Sequence, residues 1–245
     1  CVADSGMLPA SRALHRLSLR MKRFVLLDTA PIPGTKRALN LFEYGEDFVI
    51  KIAGGDGGQL MNTRMHGSED ALAAVPCKQI ASRPQVRVLI GGLGMGFTLA
   101  SALQHLGADS EVAVAELVPG VVEWNRGPLG AKSGYPLHDP RAVIIQEDVA
   151  KVLQAAEQCY DAIMLDVDNG PEGLTQKGND WLYSMDGLRQ CAKALRPKGM
   201  LAVWSSSADR AFSEKIRKAG FKGEAVQVYA HSNRGTRHTI WIAQK

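Results

Sequence analysis

Val86-Arg-Val-Leu-Ile90 runs without a break into Gly91-Gly-Leu-Gly-Met-Gly96, and Phe97–Leu106 follows with the apolar spacing of a helix. A strand, a glycine turn and a helix in that order let a nucleotide-like ligand approach the backbone at the carboxyl end of a sheet. The glycine spacing discriminates among such ligands. The dinucleotide fingerprint needs Gly-x-Gly-x-x-Gly, and counted from Gly92 its last position falls on Phe97, which weakens a pyrophosphate reading. Gly92, Gly94 and Gly96 alternate instead, which suits a nucleoside with an amino-acid or aminoalkyl tail.

Outward from this turn the chain alternates. Val86–Ile90, Glu111–Leu117, Ala142–Gln146, Asp161–Val167 and Met200–Trp204 are short runs rich in Val, Ile and Leu, separated by stretches long enough for one helix each. That rhythm implies a parallel sheet covered on both faces. Ala225–His231 and Thr236–Ala243 are joined by only Ser-Asn-Arg-Gly, too short for a parallel crossover, so the last strand is expected to be antiparallel. The fold class is α/β, Rossmann-like, with a mostly parallel seven-stranded sheet. Ahead of it, Ala38–Tyr44, Phe48–Ala53 and Gln59–Asn62, punctuated by glycine turns, predict a small antiparallel β unit. Ser68 is placed as the N-cap of the next helix, with Glu69 and Asp70 in the first turn where the helix dipole favours acids. The expected division is a basic extension over 1–23, the β unit over 24–66 and the nucleoside-binding domain over 67–245.

A chain of 245 residues, 45% hydrophobic and 22% charged, fits one large α/β domain with a small appended piece. The net charge of +4 is local: residues 1–23 carry five basic residues (Arg12, Arg16, Arg20, Lys22 and Arg23) against Asp4. The remainder balances 24 Lys and Arg against 24 Asp and Glu, so the charge is no argument for nucleic acid. Residues 11–23 have the Arg- and Ser-rich look of a transit peptide, but Met21 as a start would make them a dispensable extension. Cys1, Cys77, Cys159 and Cys191 are scattered, with no C-x-x-C and no His at ligand spacing, so neither a metal nor a disulfide framework is expected. A reducing cytoplasm is the simplest home. No apolar run approaches the roughly 20 residues that span a bilayer, so no membrane is expected as a partner.

Carboxylates recur where the strands end. Glu116 lies 20 residues beyond Gly96, where it can accept hydrogen bonds from both ribose hydroxyls. Asp148 follows the third strand and can hold the exocyclic amine of adenine, or cap the helix Val149–Ala156. The fourth strand closes with Asp166-Val-Asp168-Asn-Gly-Pro171. Asp166 ends a buried apolar strand, a costly place for a carboxylate without a partner, and is the first candidate for chemistry. Asn169 and Gly170 read as a turn. Trp181 and Tyr183 are able to stack on a cation or an adenine, although such aromatics are more often core packing.

Taken together, the β unit, Gln59, a short helix ending at Pro76-Cys77, the glycine turn, Glu116, Asp148, the Asp166 strand end and Leu195-Arg-Pro-Lys-Gly199 resemble the spermidine/spermine synthase family, whose fold is that of class I methyltransferases. The resemblance implies that Gln59, Glu116 and Asp148, with the turn at Gly92, Gly94 and Gly96, hold the thio-adenosine moiety. It implies that Asp166, with Asp168, orients and deprotonates an attacking amine. The co-substrate would be decarboxylated S-adenosylmethionine, and the expected assembly is a homodimer. Four departures stand out. In place of the family's Asp-x-x-Asp-Pro this chain has Asp166-Val-Asp168-Asn. The acid that would hold the aminopropyl amine is Gly94, the tyrosine opening the short helix is Ser68, and the C-terminal hairpin is basic, with His231, Arg234, Arg237 and His238. Three functions stay open: aminopropyl transfer, methyl transfer from S-adenosylmethionine, and nucleoside binding without catalysis. Basic groups at the site mouth would repel a polyamine and favour a zwitterionic amine acceptor.

Overall fold

A computed structural model of the protein describes residues 23–54, 58–167, 181–231 and 234–245; the side chain of Arg234 is outside the described part. Asp168, and Asn169 and Gly170 that the sequence reads as a turn, also lie outside the described residues.

The chain opens with a four-stranded antiparallel meander, β1 (Phe24–Pro31), β2 (Ala38–Tyr44), β3 (Asp47–Ile52) and β4 (Gln59–Asn62), in sequence order. A two-residue turn at Gly45-Glu46, with Gly45 at φ +70°, closes the β2–β3 hairpin. Strand β1 has no counterpart in the sequence reading. Its Phe-Val-Leu-Leu start lacks alternation, because this edge strand leaves all four side chains between 41% and 52% exposed.

Helix α1 (Gly67–Ile80) then packs against the large sheet. Its inward stripe is Ser68, Leu72, Ala73, Pro76, Cys77 and Ile80, all buried. Two expectations are corrected here. The N-cap is His66 rather than Ser68, which is buried inside the first turn. The helix also continues past Pro76-Cys77 to Ile80, because Cys77 and Ile80 extend the apolar stripe and outweigh the roughly 3 kcal/mol that an interior proline costs. Gly67 permits the start: a Cβ there would sit 2.9 Å from the Tyr229 carbonyl oxygen.

The alternating part follows with β5 (Arg87–Gly91), α2 (Phe97–His105), β6 (Glu111–Ala115), α3 (Pro119–Arg126), α4 (Gly130–Ser133), β7 (Ala142–Ile145), α5 (Val149–Gln154), β8 (Tyr160–Leu165), α6 (Met185–Ala194), β9 (Leu195–Ser205), α7 (Arg210–Lys218), β10 (Lys222–His231) and β11 (Arg234–Gln244). Sheet order is β10-β11-β9-β8-β5-β6-β7. The strands from β7 through β9 run parallel, and β11 inserts antiparallel between β9 and β10. This is the mostly parallel seven-stranded sheet expected from the sequence, beside a small antiparallel one. Strand order reverses between β5 and β8, and a crevice opens beyond the carboxyl ends of strands at such a switch point. At the opposite end Asp161 anchors the sheet, accepting from Arg83, Arg196 and the Arg87 amide at 3.1, 2.7 and 2.9 Å.

Candidate functional site

Strand register builds the site. Gly91 pairs with both Ala115 and Leu165, so the next residue on each strand, Gly92, Glu116 and Asp166, emerges at one level. Backbone bonds lock that level: the Gly92 amide donates to the Ala115 carbonyl, Asp166 to Gly91 and Glu116 to Ile145, each within 3.0 Å. Gly92 is at φ +93°, and a Cβ there would lie 2.4 Å from the Asp166 carbonyl oxygen, so only glycine lets the turn pass this close to β8. Gly96 works differently. It caps α2 at φ +83°, and its missing Cβ makes room for Asn125 of α3 rather than for a ligand.

Two adjoining cavities meet over this level. The first, about 140 Å³, is walled by Leu39 and Ile50 of the small sheet, by Ile32 just after β1, and by Ala115, Val118 and Val121. Glu116, Asp148, Asp166, Gly92 and Gly94 also line it. The second, about 250 Å³, is lined by Gln59, Asn62, Glu69, Thr98, Trp204 and His238 among others. Leu60, Met61, Gly94 and Asp166 belong to both. The arrangement is an apolar slot with acids at its rim, meeting at Asp166 a larger chamber of mixed lining that holds Glu69.

Glu116 is nearly inaccessible. Its two carboxylate oxygens accept from the Leu93 amide at 2.9 Å and the Val118 amide at 2.7 Å. Burial raises its pKa, with the surrounding amides pulling the other way. The Gly94 and Leu117 amides also act on this carboxylate, which braces the glycine turn while lining the first cavity. Asp148 does cap its helix, accepting from the Ala150 amide at 2.8 Å, and lines the first cavity from that position. Asp166 accepts from the Thr98 hydroxyl at 2.6 Å, and burial pushes its pKa up to about 6.

Of the sequence-predicted residues, the structure brings Gly92, Gly94, Glu116, Asp148 and Asp166 around one cavity. Gln59 stands apart, exposed and lining only the second chamber. Tyr183 is core: it donates to the Val167 carbonyl at 2.9 Å and packs edge-on to Phe212. Trp181 packs beside it, partly buried. Of the basic hairpin, the side chain of Arg234 lies outside the described part. Arg237 is exposed, donates to the Tyr229 hydroxyl at 2.8 Å and lines neither cavity. Among the described basic side chains of the hairpin, His238 lines the second chamber, edge-on to Trp204, and burial lowers its pKa, which favours the neutral ring.

Sequence reasoning missed Glu69, Thr98 and Trp204. Glu69 was assigned to the helix dipole, yet it precedes buried Leu72 and Ala73 by three and four residues, the spacing that marks an inward face. Burial first, then the charge of Asp166, raises its carboxyl to about 7, while the Ser68 hydroxyl donates to it at 2.5 Å. The same hydroxyl meets His238 Nδ1 at 2.9 Å. Trp204 Nε1 is buried in this wall with no hydrogen-bond partner among the described residues.

A family model described as the spermine/spermidine synthase domain matches residues 39–219. Polyamine aminopropyltransferase 1 of Streptomyces coelicolor is 33% identical over 128 residues, 51% of this chain and 23% of that one. The polyamine aminopropyltransferase of Korarchaeum cryptofilum is 30% identical over 145 residues, 57% of this chain and 43% of that one. The chain thus spans less than half the length of these curated relatives. Spermidine synthase from Thermotoga maritima shares the fold, with a TM-score of 0.71 over 90% of this chain and 72% of that one, at 19% identity. A spermidine synthase structure in complex with the transition state analogue AdoDATO superposes with a TM-score of 0.70 over the same shares, also at 19% identity.

Proposed function

From the premise that this chain belongs to the spermine/spermidine synthase family, we propose that it transfers an aminopropyl group from decarboxylated S-adenosylmethionine to an amine acceptor. The observation that carries the proposal is the meeting of the two cavities at Asp166: an apolar slot edged by Glu116 and Asp148 on one side and a chamber lined by Glu69 on the other. Glu116 accepts the ribose hydroxyls, Asp148 holds the adenine edge, and the apolar walls exclude water. Asp166 takes a proton from the acceptor nitrogen. That nitrogen bonds to the sulfonium-bound carbon, and the electron pair of the broken carbon–sulfur bond stays on sulfur, which leaves as a neutral thioether. An amine attacks only when neutral, so a carboxylate poised near pH 6 is ionised and able to accept at physiological pH. Alignment of nitrogen, carbon and sulfur across the shared wall supplies much of the rate.

Asp166→Asn preserves shape and removes the base, so turnover should be lost while methylthioadenosine binding by calorimetry changes little. Full activity in that variant removes Asp166 from the mechanism. Titrating intact and decarboxylated S-adenosylmethionine into the wild-type protein separates aminopropyl from methyl transfer, and the decarboxylated form should bind tighter. The proposal includes a cytoplasmic homodimer. The free thiols Cys77, Cys159 and Cys191 fit a reducing compartment. Exposed Phe24, Val25, Leu26 and Leu27 on edge strand β1 offer apolar surface for a second copy to cover.

A further inference from the structure

Helix α3 carries two adjacent side chains with different destinations. Trp124 Nε1 donates to Asp28 Oδ2 of β1 at 2.7 Å and ties the helix to the small sheet. Asn125 reaches the glycine turn instead. Its Nδ2 donates to the Gly94 carbonyl and to the Val121 carbonyl, both at 2.9 Å. The Val121 bond is local to the helix, whereas the Gly94 bond crosses to a residue that lines both cavities. Asn125 lines neither.

This amide occupies an unfavourable place. Asn125 is 1% exposed, and its Oδ1 is buried with no hydrogen-bond partner among the described residues. Two carbonyl oxygens require a donor, so the amide cannot turn round to relieve that oxygen. Leucine has nearly the same shape and no orphan atom, and for packing alone it is the better residue. A local rule broken in the core points to a task for the donor end. The turn supplies that task. Gly94, at φ +52°, has no side chain to restrict its backbone, so the direction of its carbonyl has to be fixed from outside. Glu116 accepts from the Leu93 amide at 2.9 Å on one side, and Asn125 donates to the Gly94 carbonyl on the other.

We infer that Asn125 is a positioning residue of the nucleoside slot: it draws the Gly94 carbonyl toward α3 and so fixes the turn beside Glu116 without touching the ligand. The inference rests on the nucleoside-binding part of the proposed function and adds a residue outside the site on which the shape of the site depends.

The test is calorimetric binding of methylthioadenosine to the full chain, comparing wild type with Asn125→Leu, Asn125→Asp and Val122→Ala. The last trims a buried residue of the same helix that lines neither cavity. Asn125→Leu should bind about tenfold more weakly or worse, and Val122→Ala within about twofold of wild type. A carboxylate at 125 has no proton for either carbonyl and a carboxylic acid has one, so the Asn125→Asp deficit should shrink from about pH 8 to about pH 5.5. Dividing by the wild-type affinity at each pH removes the titration of the carboxyls that line the slot. Wild-type affinity in Asn125→Leu overturns the inference, as does an equal loss in Val122→Ala, which would make helix stability rather than the amide responsible. If Asn125→Leu does not melt cooperatively, Asn125→Asp decides, and a deficit indifferent to pH overturns the inference as well. A wild-type protein that binds no methylthioadenosine defeats the nucleoside reading and the inference with it, whereas wild-type binding that ignores residue 125 defeats the inference alone.

Discussion

Glu116 braces the glycine turn and is the proposed ribose contact, so its replacement has two readouts. Glu116→Gln keeps one acceptor but turns an NH2 toward a backbone amide, leaving that donor unpaired in a buried place. It should cost about 1–3 kcal/mol of stability in chemical unfolding. It should also weaken methylthioadenosine at least about tenfold, or ~1.4 kcal/mol. Loss of binding with unchanged stability would mean that the Leu93 and Val118 amides do not depend on this carboxylate. Glu116 and Asp148 were legible in the sequence because a strand end can be counted from an apolar run, and whatever follows it faces the crevice. Glu69 was not, because a first-turn acid already has a sufficient electrostatic explanation and only the inward stripe of α1 contradicts it. Thr98 and Trp204 gave no signal, since one lies inside a helix and the other inside a strand.

At the scale of elements, the glycine turn and β8 are a single fitted joint. Gly92→Ala would force a side chain at φ +93° against the Asp166 carbonyl oxygen, where neither partner has a flexible end to yield. A loss of about 2–4 kcal/mol is expected in thermal or denaturant unfolding. Turnover should fall together with it, because the strand end that moves carries Asp166. Stability within about 0.5 kcal/mol of wild type would show that the joint opens freely. The parallel strands were readable because burial on both faces writes them as unbroken Val, Ile and Leu runs. Helix α3 and the short α4 were not separated from the stretch between β6 and β7. Their buried residues, Val121, Val122, Trp124, Asn125 and Gly130, include an amide and a glycine that blur the apolar pattern.

For the whole molecule, two carboxyls held above their ordinary range make stability depend on pH in an unusual direction. Glu69 and Asp166 rise from 4.5 and 3.8 to about 7 and about 6, so the folded protein keeps protons that the unfolded chain has released. Their contribution is fully present below the unfolded values near pH 4 and is lost as pH rises through 6 to 7. His238 works oppositely below its ordinary 6.5, since burial favours its neutral form, so the difference between wild type and Glu69→Gln is the quantity to follow. Between pH 5 and pH 8 the wild-type Tm should fall more than that of the variant. Parallel Tm curves for the two proteins would contradict this. The position of β11 carries one more consequence, which concerns synthesis. This strand follows β10 in the chain yet lies inside it, between β10 and β9. As the polypeptide leaves the ribosome, β10 emerges before the strand that must separate it from the rest of the sheet, and the edge of β9 stays bare meanwhile. The hairpin therefore has to zip up on its own local contacts and dock as a unit. His238 arrives with it, so the chamber acquires its last wall only after every other part of the site has been made.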